Sequence, residues 1–101
     1  MLKITLLEGP GQVTLKLEGR IAGTWVTELE DSWRSALSTM AGRPLRLQLA
    51  DVEHVDPAGT YLLALLRLNG VQLLASGTVM TEVVRTIERD WPLDEERSAP
   101  R

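Results

Sequence analysis

The side chains that could do chemistry are concentrated in residues 51–56, where the sequence reads DVEHVD. Asp51, Glu53, His54 and Asp56 are of types that bind metal ions or transfer protons. The chain has one histidine, no rigid ligand spacing accompanies it, and no nucleophile stands beside these groups, so a metal site or an acid–base set is disfavoured. We therefore expect a solvated acidic loop with His54 half-buried, no cofactor and no enzymatic activity.

Asp56 and Pro57 form a strong helix start at the end of this loop. Aspartate is a preferred N-cap, and proline is favoured at the first helical position. A helix that starts directly after a strand offers unpaired N–H groups and the positive end of its dipole to ligands and phosphates. On the residues alone, the simpler interpretation is that Asp56 only caps the helix and Pro57 only starts it.

The elements that position this helix start follow from hydrophobic periodicity. Residues 12–18 alternate apolar and polar side chains, as do residues 44–50, and residues 2–8 alternate in part; this period of two predicts strands. A further short apolar strand is expected at 71–76, and the GPG turn at 9–11 predicts a hairpin of the first two strands. Helices are expected at 24–40, at 57–69 and from Thr78 to Trp91, where Pro92 ends the last one. Thr27 and Glu30 have capping-box spacing, which leaves Thr27 open as an alternative start of the first helix.

These elements predict an α/β fold in the order β-β-α-β-α-β-α. The strand at 44–50, the helix at 57–69 and the strand at 71–76 form a right-handed βαβ unit, which makes two of the strands parallel. The result is a mixed four-stranded sheet with helices packed on it. One domain is expected over residues 1–91, followed by a disordered tail at 92–101 that has little to bury.

Composition excludes several classes of function. The chain has 101 residues, a formal net charge of -3 and no cysteine, which disfavours a nucleic-acid partner and excludes disulfides and cysteine-ligated zinc. No run of about 18 uncharged apolar residues occurs, so no membrane insertion is expected. The first residues, MLKITLLEG, read as a strand and not as a signal peptide. A reducing cytoplasm is the simplest compartment.

The helix at 57–69 is apolar almost all the way round, with leucines at 62, 63, 65, 66 and 68. These side chains cannot all face one sheet. Either neighbouring helices cover the second face, or that face is an exposed patch that docks a partner. Trp25 or Trp33 could also anchor an interface, although helical spacing favours core burial for Trp33.

The stretch LRLQLADVEHVDPAG resembles the central segment of the STAS family, which includes the anti-sigma factor antagonists. In that family a strand and an apolar pair precede Asp-Ser-Ser-Gly or Asp-Ser-Thr-Gly, which opens a helix. Val52, Val55, Asp56 and Gly59 match this pattern. LKLEGRI resembles the second strand, and GVQLLASG and TVMTEVVRTI resemble the last strand and helix, so the resemblance covers roughly residues 1–90. It implies a STAS-type single domain.

The motif departs from the family at its two hydroxyl positions. The residue that a partner kinase phosphorylates in the family corresponds to Ala58 here, and the other motif serine corresponds to Pro57. Alanine has no hydroxyl, so the switch by which phosphate adds about -1.5 to -2 charges is lost at this position. Thr60 is the nearest hydroxyl, but two residues along a helix turn a side chain by about 200°. We therefore expect Thr60 to be an ordinary first-turn threonine.

The resemblance implies a non-enzymatic protein–protein interaction module in bacterial transcription regulation and signalling. It would dock an ATP-binding anti-sigma or serine-kinase-like regulator, in a permanently unphosphorylated form. The expected partner-binding residues are Asp56, Pro57, Ala58, Gly59, Thr60 and Leu63. The alternative is an accessory subunit that stabilises the ATPase of an ABC-type phospholipid-trafficking transporter. A third and weaker hypothesis is binding of a nucleotide or another small ligand at the helix N-terminus.

Overall fold

The computed structural model describes residues 1–92, which form seven elements in the predicted order. The first two strands are joined by a tight turn, and the other strands alternate with helices. The elements are β1 (Leu2–Glu8), β2 (Val13–Ile21), α1 (Thr24–Leu37), β3 (Leu45–Val55), α2 (Pro57–Leu68), β4 (Gln72–Leu74) and α3 (Thr78–Asp90).

The sheet has the strand order β1-β2-β3-β4. β1 runs antiparallel to β2, whereas β3 lies parallel to β2, and β4 lies parallel to β3. The predicted α/β fold with a mixed four-stranded sheet is therefore confirmed. Because β2 and β3 run parallel, the helices that follow them, α1 and α2, start at the same end of the sheet.

The helices cover one face of the sheet, and the core lies between the two layers. Every second residue of the central strands is buried: Val13, Leu15 and Leu17 in β2, and Leu45, Leu47 and Leu49 in β3. The residues between them are only partly buried, as the period-two pattern predicts for a sheet with one covered face. The core is therefore aliphatic and consists mostly of leucine side chains. Within residues 1–92 no helix has the length and apolar character needed to cross a membrane.

The predicted loop at 51–56 is wrong, because β3 continues through it to Val55. β2 is longer than predicted as well, and its added residues pair with that segment: Gly19 lies opposite Val52, and Ile21 lies opposite Val55. Irregularities in the register near residues 17 and 19–20 allow the pairing to continue, as bulges do. His54 is exposed on this extension and not half-buried.

Other boundaries differ by a few residues. α1 begins at Thr24 and not at Thr27, and it ends at Leu37 instead of Met40. A turn replaces its last predicted residues, since Ala41 and Gly42 adopt positive φ angles of 48° and 82°. β4 is shorter than the predicted 71–76. Apart from Pro92, the predicted disordered tail lies outside the described residues.

Candidate functional site

Asp56 ties together the two loops that meet at the start of α2. Its backbone is extended, and its Oδ1 accepts a hydrogen bond of 2.7 Å from the N–H of Gly59, which caps the helix. Its Oδ2 accepts a second bond of 3.0 Å from the N–H of Gly23, in the loop between β2 and α1. The predicted N-cap is therefore present, and the same carboxylate also links the start of α1 to the start of α2.

Gly23 is a site residue that the motif did not reveal. It precedes α1 with φ 58° and ψ -133°, a conformation that is open to glycine but strained for residues with a Cβ. This conformation points its N–H at Asp56. A glycine between a strand and a helix is a sequence signal for such a turn, but its partner lies 33 residues away.

Gly59 allows α2 to approach the end of β2 closely. A Cβ at this position would lie 2.6 Å from the carbonyl oxygen of Ile21 and 2.9 Å from Cγ1 of Val55. The same Ile21 oxygen accepts a 3.0 Å hydrogen bond from the N–H of Asp56. Gly59 therefore serves the packing of the site and does not itself present a side chain to a partner.

Pro57 and Ala58 are exposed on the first turn of α2, whereas Thr60 is turned aside. The Thr60 hydroxyl donates a 3.1 Å hydrogen bond to the carbonyl oxygen of Asp56. Thr60 also lines a shallow cavity of about 220 Å³ with Glu82, Val83 and Thr86 of α3. The structure thus places the methyl group of Ala58 at the surface, and Thr60 faces a different side of the helix.

The prediction that Leu63 contacts a partner is wrong. Its side chain is 0% exposed and belongs to the core. Leu62 and Leu66 are buried as well, because all three lie on the side of α2 that faces the sheet. Leu63 packs in the core under the first turns of α2, so its side chain cannot reach a partner on the surface.

The outer side of α2 carries a line of exposed residues that we call the apolar stripe: Ala58, Tyr61, Leu65 and Leu68. Leu65 is 37% exposed and Leu68 41% exposed, so the neighbouring helices cover the second face of the leucine-rich helix only in part. Trp91 packs edge-on against Tyr61, with ring centroids 6.3 Å apart, and its carbonyl accepts a 3.1 Å hydrogen bond from Arg67. Trp25 and Trp33 are partly buried against the core.

The acidic residues before the helix do not assemble into a metal site. Among residues 1–92, no three side chains of histidine, aspartate or glutamate come close enough to hold an ion. Asp51, Glu53 and His54 are all exposed on the end of β3. These side chains therefore form part of the exposed surface beside the start of α2.

Two backbone hydrogen bonds, from Gly59 and Gly23, lower the pKa of Asp56 below the ordinary value of 3.8, and the nearby His54 lowers it further. Because the folded-state pKa is below that of the unfolded chain, the ionised carboxylate stabilises the fold fully above pH 3.8. This stabilisation is lost as the pH falls from there through the lowered pKa.

The variant Asp56→Asn is therefore expected to be less stable than the wild type at neutral pH. Asparagine can still cap α2 through its amide oxygen, but its amide nitrogen is a donor and cannot accept the hydrogen bond from Gly23, as the second carboxylate oxygen does. The stability gap should close as the pH falls below 3.8. Urea unfolding at several pH values measures the gap, with Asp51→Asn as the exposed control. A gap that stays constant with pH would contradict this assignment.

Comparison with known proteins identifies the fold. No family model matches the sequence, and no curated protein matches it. Among solved structures, an anti-sigma factor antagonist from Mycobacterium paratuberculosis superimposes with a TM-score of 0.72 at 19% identity, over 92% of this chain and 85% of that one. An uncharacterised protein with a SpoIIAA-like fold from Shewanella loihica superimposes with a TM-score of 0.57 at 13% identity, over 97% and 89% of the two chains. The chain therefore has the SpoIIAA-like fold of the anti-sigma factor antagonists, as its resemblance to the STAS family predicts.

Proposed function

We propose that this chain is a cytoplasmic, non-enzymatic docking module that binds an ATP-binding anti-sigma or serine-kinase-like regulator. The observation that carries the proposal is the exposed methyl group of Ala58 on a preformed helix start. In the resembling family, a hydroxyl at this position receives phosphate and controls docking. Here residue 58 is exposed, but its side chain has no hydroxyl that could be phosphorylated.

The rigidity of the loop supports docking. Asp56 holds both Gly59 and Gly23 by hydrogen bonds, so two loops from different parts of the chain form one surface. A surface that is ordered before binding loses less conformational entropy when a partner arrives. The site therefore needs no rearrangement to present Pro57 and Ala58.

The apolar stripe supplies contact area beside this loop. Tyr61 is 61% exposed, and tyrosine contributes large, rigid contacts at protein interfaces. Leu65 and Leu68 continue the stripe along α2. A partner that contacts Ala58 and follows the helix would bury all three side chains.

The proposal predicts that restoring the hydroxyl restores phosphorylation. The wild type should take up no phosphate from ATP and a serine kinase that acts on STAS proteins, whereas Ala58→Ser should become labelled at residue 58. Ala50→Ser is the matched control, because Ala50 is also exposed but lies on β3. Phosphate on Thr60 of the wild type, located by mass spectrometry, would overturn the permanently unphosphorylated form.

The apolar stripe also favours a second candidate, the accessory subunit of an ABC-type transporter ATPase. Such a subunit would stay bound to the ATPase through Leu65 and Leu68, and Ala58 would be only part of a helix start. Co-expression with such an ATPase separates the two functions. Leu68→Asp should release the ATPase if the second function holds, while Ala58→Asp should leave the complex intact.

A further inference from the structure

β1 is an edge strand whose outer side is unpaired within residues 1–92. The hydrogen bonds from Gly9 N–H to the Gln12 carbonyl and from Arg20 N–H to the Met1 carbonyl show that odd-numbered residues of this strand bond to β2. Because hydrogen-bonded and non-hydrogen-bonded pairs alternate in an antiparallel ladder, the N–H and C=O groups of Leu2, Ile4 and Leu6 point outward. The free edge is thus a row of donors and acceptors that a further strand could use.

A groove lies beside this edge, between β1 and α1. Its volume is about 340 Å³, and it is lined by Ile4 and Leu6 of β1 and, from α1, by Asp31, Ser32, Ser35 and Ala36. Leu6 is 45% exposed, although it lies on the face of the sheet that the helices cover. An added strand would direct its inward side chains into this groove.

We propose that the occupant is a second copy of this chain, paired through β1 about a two-fold axis at Thr5. This register aligns all seven residues of both strands. It places Ile4 opposite the partner's Leu6 in both halves, which covers the exposed leucine and fills the groove. It also places Lys3 opposite the partner's Leu7 and Glu8 opposite the partner's Leu2, so that like charges are far apart.

The helices fit this arrangement. α1 packs across both β1 and β2, and strands in a sheet lie about 4.8 Å apart. Joining two copies edge to edge therefore sets the two α1 helices about 10 Å apart, which is close to the usual distance of 8–10 Å between packed helices. The short side chains of Ser32 and Ser35 permit this approach.

The size of the contact predicts a weak dimer. β1 and one flank of α1 contribute roughly a dozen residues from each copy, against the 20–30 residues a side of a standard interface. Association should therefore depend on concentration. Since α2 follows β3, which is two strands from this edge, Ala58 stays uncovered, and the dimer would present two docking sites.

Disulfide trapping tests the register. Thr5 lies on the open face at the two-fold axis, in a non-hydrogen-bonded pair whose Cα atoms are about 4.5 Å apart, within the range of a disulfide. The chain has no cysteine, so Thr5→Cys supplies the only thiol and should form a covalent dimer on mild oxidation. Leu7→Cys is the control: Leu7 lies on the same face and is more exposed than Thr5, but its Cα lies about 14 Å from the partner's Leu7. Equal cross-linking of the two variants, or none with Thr5→Cys, would overturn the proposal.

Sedimentation velocity tests the association without a covalent bond. The wild type should shift from monomer to dimer between low micromolar and near-millimolar concentrations. Leu6→Pro removes an N–H that points outward, together with the leucine side chain, and so blocks pairing at this edge without breaking a bond to β2. It should raise the dimer dissociation constant about tenfold or more, as should Leu6→Lys. Thermal unfolding of both variants checks that the monomer is folded. A wild type that stays monomeric, or a dimer that neither variant weakens, would contradict pairing through β1.

Discussion

Replacing Gly59 by alanine is expected to reduce the free energy of unfolding by about 2–3 kcal/mol. For a domain of this size, that corresponds to a fall in melting temperature of roughly 10–20 °C. The added Cβ would lie 2.6 Å from the carbonyl oxygen of Ile21. This oxygen already accepts the N–H of Asp56, so it cannot move away without weakening that bond and shifting α2 from the sheet.

Gly11→Ala is the matched control for this variant. Gly11 lies in the turn between β1 and β2, and a Cβ there would meet no atom within 4 Å. Its substitution should change stability by no more than about 0.5 kcal/mol. Urea unfolding of both variants makes the comparison. Equal stability of the two would show that α2 does not depend on its close approach to β2.

The second large effect is expected at Ala58, where aspartate imitates a phosphorylated residue. If a regulator covers this position, Ala58→Asp places an unpaired carboxylate in the interface. Such a charge costs at least about 2 kcal/mol when it is desolvated without a partner, which is roughly a 30-fold loss of affinity. The exposed methyl group of the wild type carries no such penalty.

Unfolding would not explain this loss of binding. Residue 58 lies in the first turn of α2, where a negative side chain interacts favourably with the helix dipole. The variant should therefore be about as stable as the wild type. Ala50→Asp makes the same change at an exposed position of β3 and should bind the regulator as the wild type does.

Much of the fold could be predicted from local patterns. The alternation of Leu45, Leu47 and Leu49 with polar residues follows directly from a strand with one buried face. Asp56 and Pro57 indicate a helix start because each suits its position for a local reason, and the structure has the cap where the sequence predicts it. These features depend on residues that are close together in the chain.

The errors concern contacts between distant segments. The segment from Asp51 to Val55 is polar enough to suggest a loop, but it becomes a strand because the extended end of β2 pairs with it. Likewise, nothing near Asp56 in the sequence indicates that its second oxygen binds Gly23. Leu63 is expected to bind a partner but is buried, because the position of a residue in the chain does not by itself tell which side of α2 faces the sheet.

A calorimetric titration decides whether the unmodifiable start of α2 docks a regulator. A purified ATP-binding anti-sigma or serine-kinase-like regulator is titrated with the wild type, with Ala58→Asp and with Ala50→Asp. Docking at Ala58 predicts that the wild type and Ala50→Asp bind equally, and that Ala58→Asp binds at least roughly 30-fold more weakly. Equal binding by all three proteins would contradict docking at this site.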